Sequence, residues 1–441
     1  MARHIKEIAV LGGGPAGLAV GHYARTRAMP FVIYEQAKQW GGNCVTHEWN
    51  EFRYDSGAHR IHGVDPEVVT DIARLLRGEL HVVRSPSFIY KDTGRYTFPL
   101  ELNNILKTMP VRDLARGLKD LVQALVTRNG GINNFEELAV QRYGKFFARE
   151  FLLDYSEKLW GRPCAHLDKR LAGRRLAGLR LGDILKGFAK QNGASPHMEG
   201  EFYYPKGGIG RLMDALAESC GPENISLEKS VTRILHDNHR VLALELNNKE
   251  TVEVDEVVST LPVNRLLQML DPMLPSKGLA QCFHFRNLVL VALFLNKAKI
   301  MDAASVYFPG SNTMFTRAYE PRNRCVTMSP PGKTSLVVEI PCDPADSIWV
   351  TPDQQIAQVV IDAFGRLGWL QEREILCYSV QRMQAAYPVI QVESRESFDK
   401  AKTRLKHITN LNISGRNGRF SYSWIHDQIR WGKSIIERLA S

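Results

Sequence analysis

The chain has 441 residues, which is too long for one ordinary core and calls for two or three domains, at least one of them discontinuous. Hydrophobic residues make up 44% and charged residues 24%, so disorder is excluded as the default state. Lys and Arg exceed Asp and Glu by 57 to 47; this +10 fits an anionic ligand, a phosphorylated substrate or an anionic membrane surface, and it also fits solubility alone.

No run of five basic residues and no zinc-finger spacing occurs, which ranks nucleic acid low as a partner. The seven cysteines are scattered without a C-x-x-C pair, which argues against a disulfide framework and a structural zinc and points to a reducing cytoplasm. No metal site is expected.

Residues 7–11 form a short apolar strand, followed by a glycine loop at 12–14 and a helix that opens on Pro15 and runs to about Arg27. Residues 31–34 form the second strand and complete a β-α-β unit. Residues 39–54 read as a loop with an extended segment, 66–76 as a helix, and 83–96 as a small hairpin turning at Asp92-Thr93-Gly94. From 103 to about 190 apolar residues recur at three- and four-residue steps with Lys and Arg between them, the pattern of packed helices. Composition changes sharply at 201–212 (FYYPKGGIGRL), where the chain crosses between domains. A helix to about Ser219, alternating strands over 225–260 and strands over 283–339 come next. The apolar run 288–295 is far short of a membrane span and reads as a buried strand. A helix over 352–367, a strand over 373–381, a strand at 411–414 and a last helix to Leu439 complete the chain.

Gly12-Gly13-Gly14-Pro15-Ala16-Gly17 matches G-x-G-x-x-G between that first strand and helix. Gly12 permits the tight turn, Gly14 lets the backbone approach a pyrophosphate, and Gly17 allows close helix–strand packing. The free N–H groups and dipole at the helix start then favour the two phosphates. Glu35 lies 18 residues after Gly17 at the end of the second strand, where a carboxylate accepts hydrogen bonds from ribose hydroxyls and repels a 2′-phosphate. An adenine dinucleotide is the expected ligand, with Gln36 beside it.

The segment after Glu35 contains Gly41-Gly42-Asn43-Cys44, which resembles the FAD signature of glutathione-reductase-2 type flavoproteins. From here the chain resembles, nearly end to end, the family that joins amine oxidases, protoporphyrinogen oxidase and UDP-galactopyranose mutase. Asp55-Ser56-Gly57-Ala58-His59-Arg60-Ile61-His62 looks like the glycine–histidine segment that passes the flavin in the mutase. The resemblance sets His59, and then His62, toward the ring; a loop histidine bonded to backbone is the alternative. Phe98-Pro99 and Lys158-Leu159-Trp160-Gly161 resemble stretches flanking the mutase's helical domain. Arg174 follows where these families place an arginine near substrate, although a solvated helix face explains it equally well. Tyr204-Pro205 through Gly210 resembles the turn before the second FAD-contacting helix, and Val231 falls on the strand whose backbone meets adenine in the superfamily. Phe315-Thr316-Arg317-Ala318 resembles the mutase segment bearing a phosphate-binding arginine; a surface arginine at a strand end is the competing reading of Arg317. Gly415-Arg416 through Phe420 and Tyr422 resembles the C-terminal FAD motif. By that resemblance Gly415 and Phe420 help hold the cofactor, Arg416 lies by the flavin and Tyr422 faces substrate. The family order is Asp, often followed by His; this chain has His426-Asp427.

The resemblance implies an α/β fold: a Rossmann-like FAD-binding domain with a mixed-sheet substrate domain and a helical insertion. The expected division is FAD-binding at 1–65, 196–270 and 401–441, helical at 66–195 and β-rich at 271–400. It implies non-covalent FAD, with a packed Cys44 preferred over a thioether. The implied partner is a small anionic or nucleotide-sugar substrate, with no transmembrane segment and a peripheral membrane contact left open. A redox flavoenzyme passing hydride to flavin N5 ranks first, with His59, Arg317 and Tyr422 in catalysis. A redox-neutral, mutase-like enzyme ranks second, and a binding protein of the same fold without flavin third.

Overall fold

The computed structural model describes residues 7–127, 131–176, 201–273 and 278–441, the side chains of 173–176 excepted. The chain begins in a five-stranded parallel sheet ordered Leu411–Ile413, Glu256–Ser259, Ile8–Leu11, Phe31–Tyr34, Ile225–Ser226. Strands from three distant parts of the sequence therefore make one layer. Helix Pro15–Thr26 packs on this sheet between helices Gly210–Cys220 and Ile425–Ala440. Gly21 and Gly432 make the close approach possible: a Cβ on Gly432 would stand 2.9 Å from that of Ala19.

A seven-stranded mixed sheet forms the second layer, in the order Ile375–Val389, His284–Leu295, Thr334–Cys342, Arg317–Tyr319, Ser305–Tyr307, Ser87–Lys91, Gly94–Phe98. The apolar run 288–295 lies in its interior. Its side chains divide by the two-residue period of a strand. Val289, Val291, Leu293 and Leu295 face helix Asp353–Arg366, while Leu290, Ala292 and Phe294 face Phe52, Tyr54 and Ala58. The second face thereby seats the 52–58 segment that leads to His59.

Three elements depart from the sequence reading. The 87–98 hairpin, inside the stretch expected to be mainly helical, pairs at this sheet's edge. Helix Val263–Met269 falls between two stretches read as strands. Helix Val392–Leu405 has no counterpart in the reading, because only Ser394, Ala401 and Leu405 of its fourteen residues are buried, too sparse a stripe to register. The helical part comprises Leu102–Thr108, Val111–Val126, Phe135–Ala148, a π-helical turn Arg149–Leu153 and Asp154–Trp160. Gly144, at φ +70°, breaks the third of these where its Cα passes the backbone of Leu121. Residues 177–200, where helix was also expected, lie outside the described residues. Among the described residues no helix is long and apolar enough to cross a membrane.

Candidate functional site

The glycine loop is shaped by contacts that side chains would destroy. Gly12 has φ +104°, and a Cβ there would meet Thr260 Oγ1 at 2.4 Å. A Cβ on Gly17 would stand 1.9 Å from the carbonyl of Gly12. Gly14 differs: its φ is −78°, and its Cβ would meet only Gly42 Cα at an ordinary 3.8 Å. Gly14 is also the N-cap of helix Pro15–Thr26 and provides no side-chain cap, so the first turn opens its N–H groups to a cavity.

The Gly41-Gly42 pair abuts this loop. Gly41 N–H donates to Gly13 C=O at 2.8 Å, and Gly42, at φ +56°, stands where a Cβ would be 3.2 Å from Gly14 Cα. The first glycine loop thus itself demands glycine at 42. Glu35 is buried at the end of its strand. Its carboxylate accepts from Gly13 N–H at 2.7 Å and from Ala37 N–H at 2.8 Å, which fixes its orientation.

The cavity has a volume of about 660 Å³ and is lined by Glu35, Gln36, Gly12, Gly14, Pro15, Ala16, Gly42 and Asn43. Cys44, His59, His62, Arg317, Gly415, Arg416 and Tyr422 line it too. These predicted residues, drawn from both ends of the sequence and its middle, therefore share one cavity. Gly17 and Gly41 stand behind its wall. Val231 and Phe420 do not line it. Val231, expected to offer its backbone to adenine, pairs with Leu246 in an antiparallel ladder. Phe420 turns its ring into an aromatic cluster, 5.0 Å from Phe283 and 5.5 Å from Phe285. The Arg174 side chain lies outside the described residues.

The surroundings of Arg317 and Arg416 carry more than the sequence disclosed. Arg317 is not a lone surface arginine. It is the cross-strand partner of Glu339, and its Nε and Nη2 grip that carboxylate at 2.9, 2.8 and 2.6 Å. Burial opposes the charge on Arg317, and the Glu339 carboxylate more than offsets this, so its pKa is raised well above the usual value. Glu339 also accepts from Ala58 N–H at 2.9 Å, which ties the arginine to the histidine segment. A single carboxylate inside the apolar run of Thr334–Cys342 was the sequence signal for this partner.

Arg416 is braced by main-chain carbonyls, with Nε and Nη2 donating to Ser423 at 3.2 and 2.9 Å and Nη1 to Ala386 at 3.3 Å. Its guanidinium stands over the rings of Tyr387 and Tyr422. Trp160, Tyr155, Tyr307 and Tyr387 join Tyr422 in the lining; of these the sequence reading named Trp160, within a motif. Trp160 is 4% exposed and stands edge-on to Tyr387 and Tyr422.

His59 accepts or donates at Ser56 Oγ, 3.4 Å from Nε2, while its own carbonyl takes Nη1 of Arg324 at 2.6 Å. Burial first, then Arg416, Arg324 and Arg317, lower its pKa to about 3, so the ring is neutral at physiological pH. Cys44 is pushed up to about 12 by burial and remains a thiol.

The His59 shift has a measurable sign. Between about pH 6.5 and pH 3 the unfolded chain takes up a proton that the folded chain excludes, so this group lowers stability as pH falls, by at most ~1.4 kcal/mol per pH unit. His59→Gln should remove about one proton from the uptake on unfolding in that window, read from chemical denaturation at a series of pH values. An unchanged pH dependence would mean that His59 titrates normally.

Among protein families, that of flavin containing amine oxidoreductases matches residues 15–381. Of solved structures, reduced UDP-galactopyranose mutase is similar over 98% of this chain and 95% of its own, with a TM-score of 0.86 at 21% identity. A putative protoporphyrinogen oxidase from Exiguobacterium sp. 255-15 follows at 0.76 and 15% identity, over 99% of this chain and 98% of its own. A redesigned putrescine oxidase gives 0.70 at 14%, over 98% of both chains. At these identities the structures speak for the fold. With the family match spanning most of its length, the chain belongs to the flavin-containing amine oxidoreductase family.

Proposed function

We propose that the chain is an FAD-dependent oxidoreductase whose substrate is a small anionic, hydroxyl-bearing molecule and not an amine. The cradle fits the dinucleotide. Gly12, Gly14 and the uncapped start of helix Pro15–Thr26 would hold the pyrophosphate, and Glu35 the adenosine ribose. Cys44, buried and protonated, supports non-covalent attachment. Bound there, FAD supplies an isoalloxazine ring able to accept a hydride.

The observation that carries the substrate reading is the charge around the arginines of the cavity. Arg60, Arg317 and Arg416 line it; of the nearby carboxylates, Glu339 is already paired with Arg317 and Glu201 with Arg84. An ammonium group would face like charge there, while a phosphate or carboxylate would be drawn in. Four tyrosines and Trp160 supply flat apolar faces and hydroxyls, which suit a sugar ring. In this reading Arg416 sits where it would favour negative charge on the reduced ring, Arg317 orients the anion, and Tyr422 and Trp160 exclude water. His59, held neutral, would pack against the ring without adding charge.

A second reading rests on the same tyrosine and arginine lining together with the likeness to a protein named UDP-galactopyranose mutase: a redox-neutral rearrangement of a nucleotide sugar. Anaerobic mixing separates the readings. Bleaching of the oxidised flavin by a hexose phosphate or UDP-hexopyranose, and none by putrescine, is expected for the first. Turnover of UDP-hexopyranose only after dithionite reduction would select the second. Bleaching by putrescine would overturn the anionic-substrate claim.

A further inference from the structure

We propose that helix Val111–Val126 docks the protein on an anionic lipid bilayer. The helix has two apolar faces and uses one. Gly117, Leu121 and Ala124 are buried against helix Phe135–Ala148, where a Cβ on Gly117 would stand 2.3 Å from Phe147 Cζ. Among the described residues nothing covers the other face: Val111 is 82% exposed, Leu118 46%, Val122 61%, Leu125 56% and Val126 76%. At 3.6 residues per turn these five side chains fall within an arc of about 100°. Leu106, on the preceding helix Leu102–Thr108, is also exposed. Six of the fifteen large exposed hydrophobic residues among those described thus lie between 106 and 126, which makes a patch and not the scatter normal for a surface.

Charge selects the occupant. Arg112, Arg116 and Lys119 are exposed and, at 3.6 residues per turn, follow the apolar arc along one edge, Arg116 with its guanidinium over the Phe146 ring. The acidic residues of the helix, Asp113 and Asp120, are half-buried on the far side, and Asp120 is occupied by Phe146 N–H at 3.0 Å. An apolar stripe edged by cations on a convex helix is the form of an interfacial helix, with apolar side chains in the acyl boundary and cations at the phosphates. An antiparallel pairing with a second copy would instead set the two basic rows beside each other. The neighbouring helical layer supplies Phe135, Phe151 and Leu152 to the cavity wall, so the docked face would lie outside the site.

The test is sedimentation of the full-length, flavin-loaded chain with sucrose-filled vesicles. Equimolar phosphatidylcholine and phosphatidylglycerol are compared with phosphatidylcholine alone, at about 0.1 M and 0.5 M salt. The expected result is binding to the anionic vesicles that falls at least tenfold without phosphatidylglycerol, at high salt, in Val122→Asp and in Arg112→Glu/Lys119→Glu. Flavin content should be unchanged in both variants, because these side chains face solvent. Absence of binding to anionic vesicles overturns the proposal. So does equal binding by Val122→Asp, or a wild-type dimer that binds no vesicles and becomes monomeric in Val122→Asp, which would assign the face to a second copy.

Discussion

Gly14→Val yields a folded protein that purifies without its yellow colour. A valine Cβ at this position would touch only Gly42 Cα at 3.8 Å, and the local φ of −78° suits any residue, so the chain loses little stability. The added methyl groups occupy the space in front of the uncapped helix start, where the pyrophosphate would rest. A loss of FAD affinity of at least a hundredfold, about 2.7 kcal/mol, is expected. Equilibrium binding of FAD to the refolded apoprotein measures it, with circular dichroism and thermal melting to show that the fold persists. Gly17→Val is the contrasting control. Its Cβ would lie 1.9 Å from the Gly12 carbonyl, so it should damage the fold itself. A yellow, fully loaded Gly14→Val protein would remove the helix start from the binding site.

The second large effect concerns the buried pair of Arg317 and Glu339. Arg317→Met leaves the Glu339 carboxylate, 1% exposed, with Ala58 N–H but without its cation. Breaking such a pair costs about 3–5 kcal/mol, and melting should fall by several degrees. Adding Glu339→Gln removes the stranded charge and keeps an acceptor for Ala58, so the double variant should regain most of the loss. A double-mutant cycle reads that coupling directly. Both Arg317→Met and the double variant should raise KM for an anionic substrate by about tenfold or more, since both lack the guanidinium. Recovery of stability without recovery of KM separates the structural role of the pair from the binding role of Arg317. If Arg317→Met melts with the wild type, the pair is not buried as described.

The parts of the fold that were legible obey local rules. A strand, three glycines, a helix and an acid at fixed spacing follow from short-range sterics, so residues 8–35 were readable in detail. The hairpin turning at Asp92-Thr93 and the buried strand at 288–295 were readable for the same reason. The surroundings of Arg317 were less so, because their geometry depends on strand register. Arg317 and Glu339 face each other only because Arg317–Tyr319 pairs with Thr334–Cys342 in one alignment, which no local pattern reveals. Phe420 shows the limit of a motif: its place in the string matches, but its ring is drawn into the cluster of Phe283, Phe285 and Phe398. The meeting of Gly42 with Gly14 likewise arises from two loops folding onto each other.

The most direct measurement is the absorption spectrum of the purified chain, with mass identification of whatever heat releases from it. The cradle formed by Gly12, Gly14, Gly42 and Glu35 predicts oxidised flavin bands and close to one FAD released intact per chain. A colourless protein that takes up no FAD at micromolar concentration would contradict it.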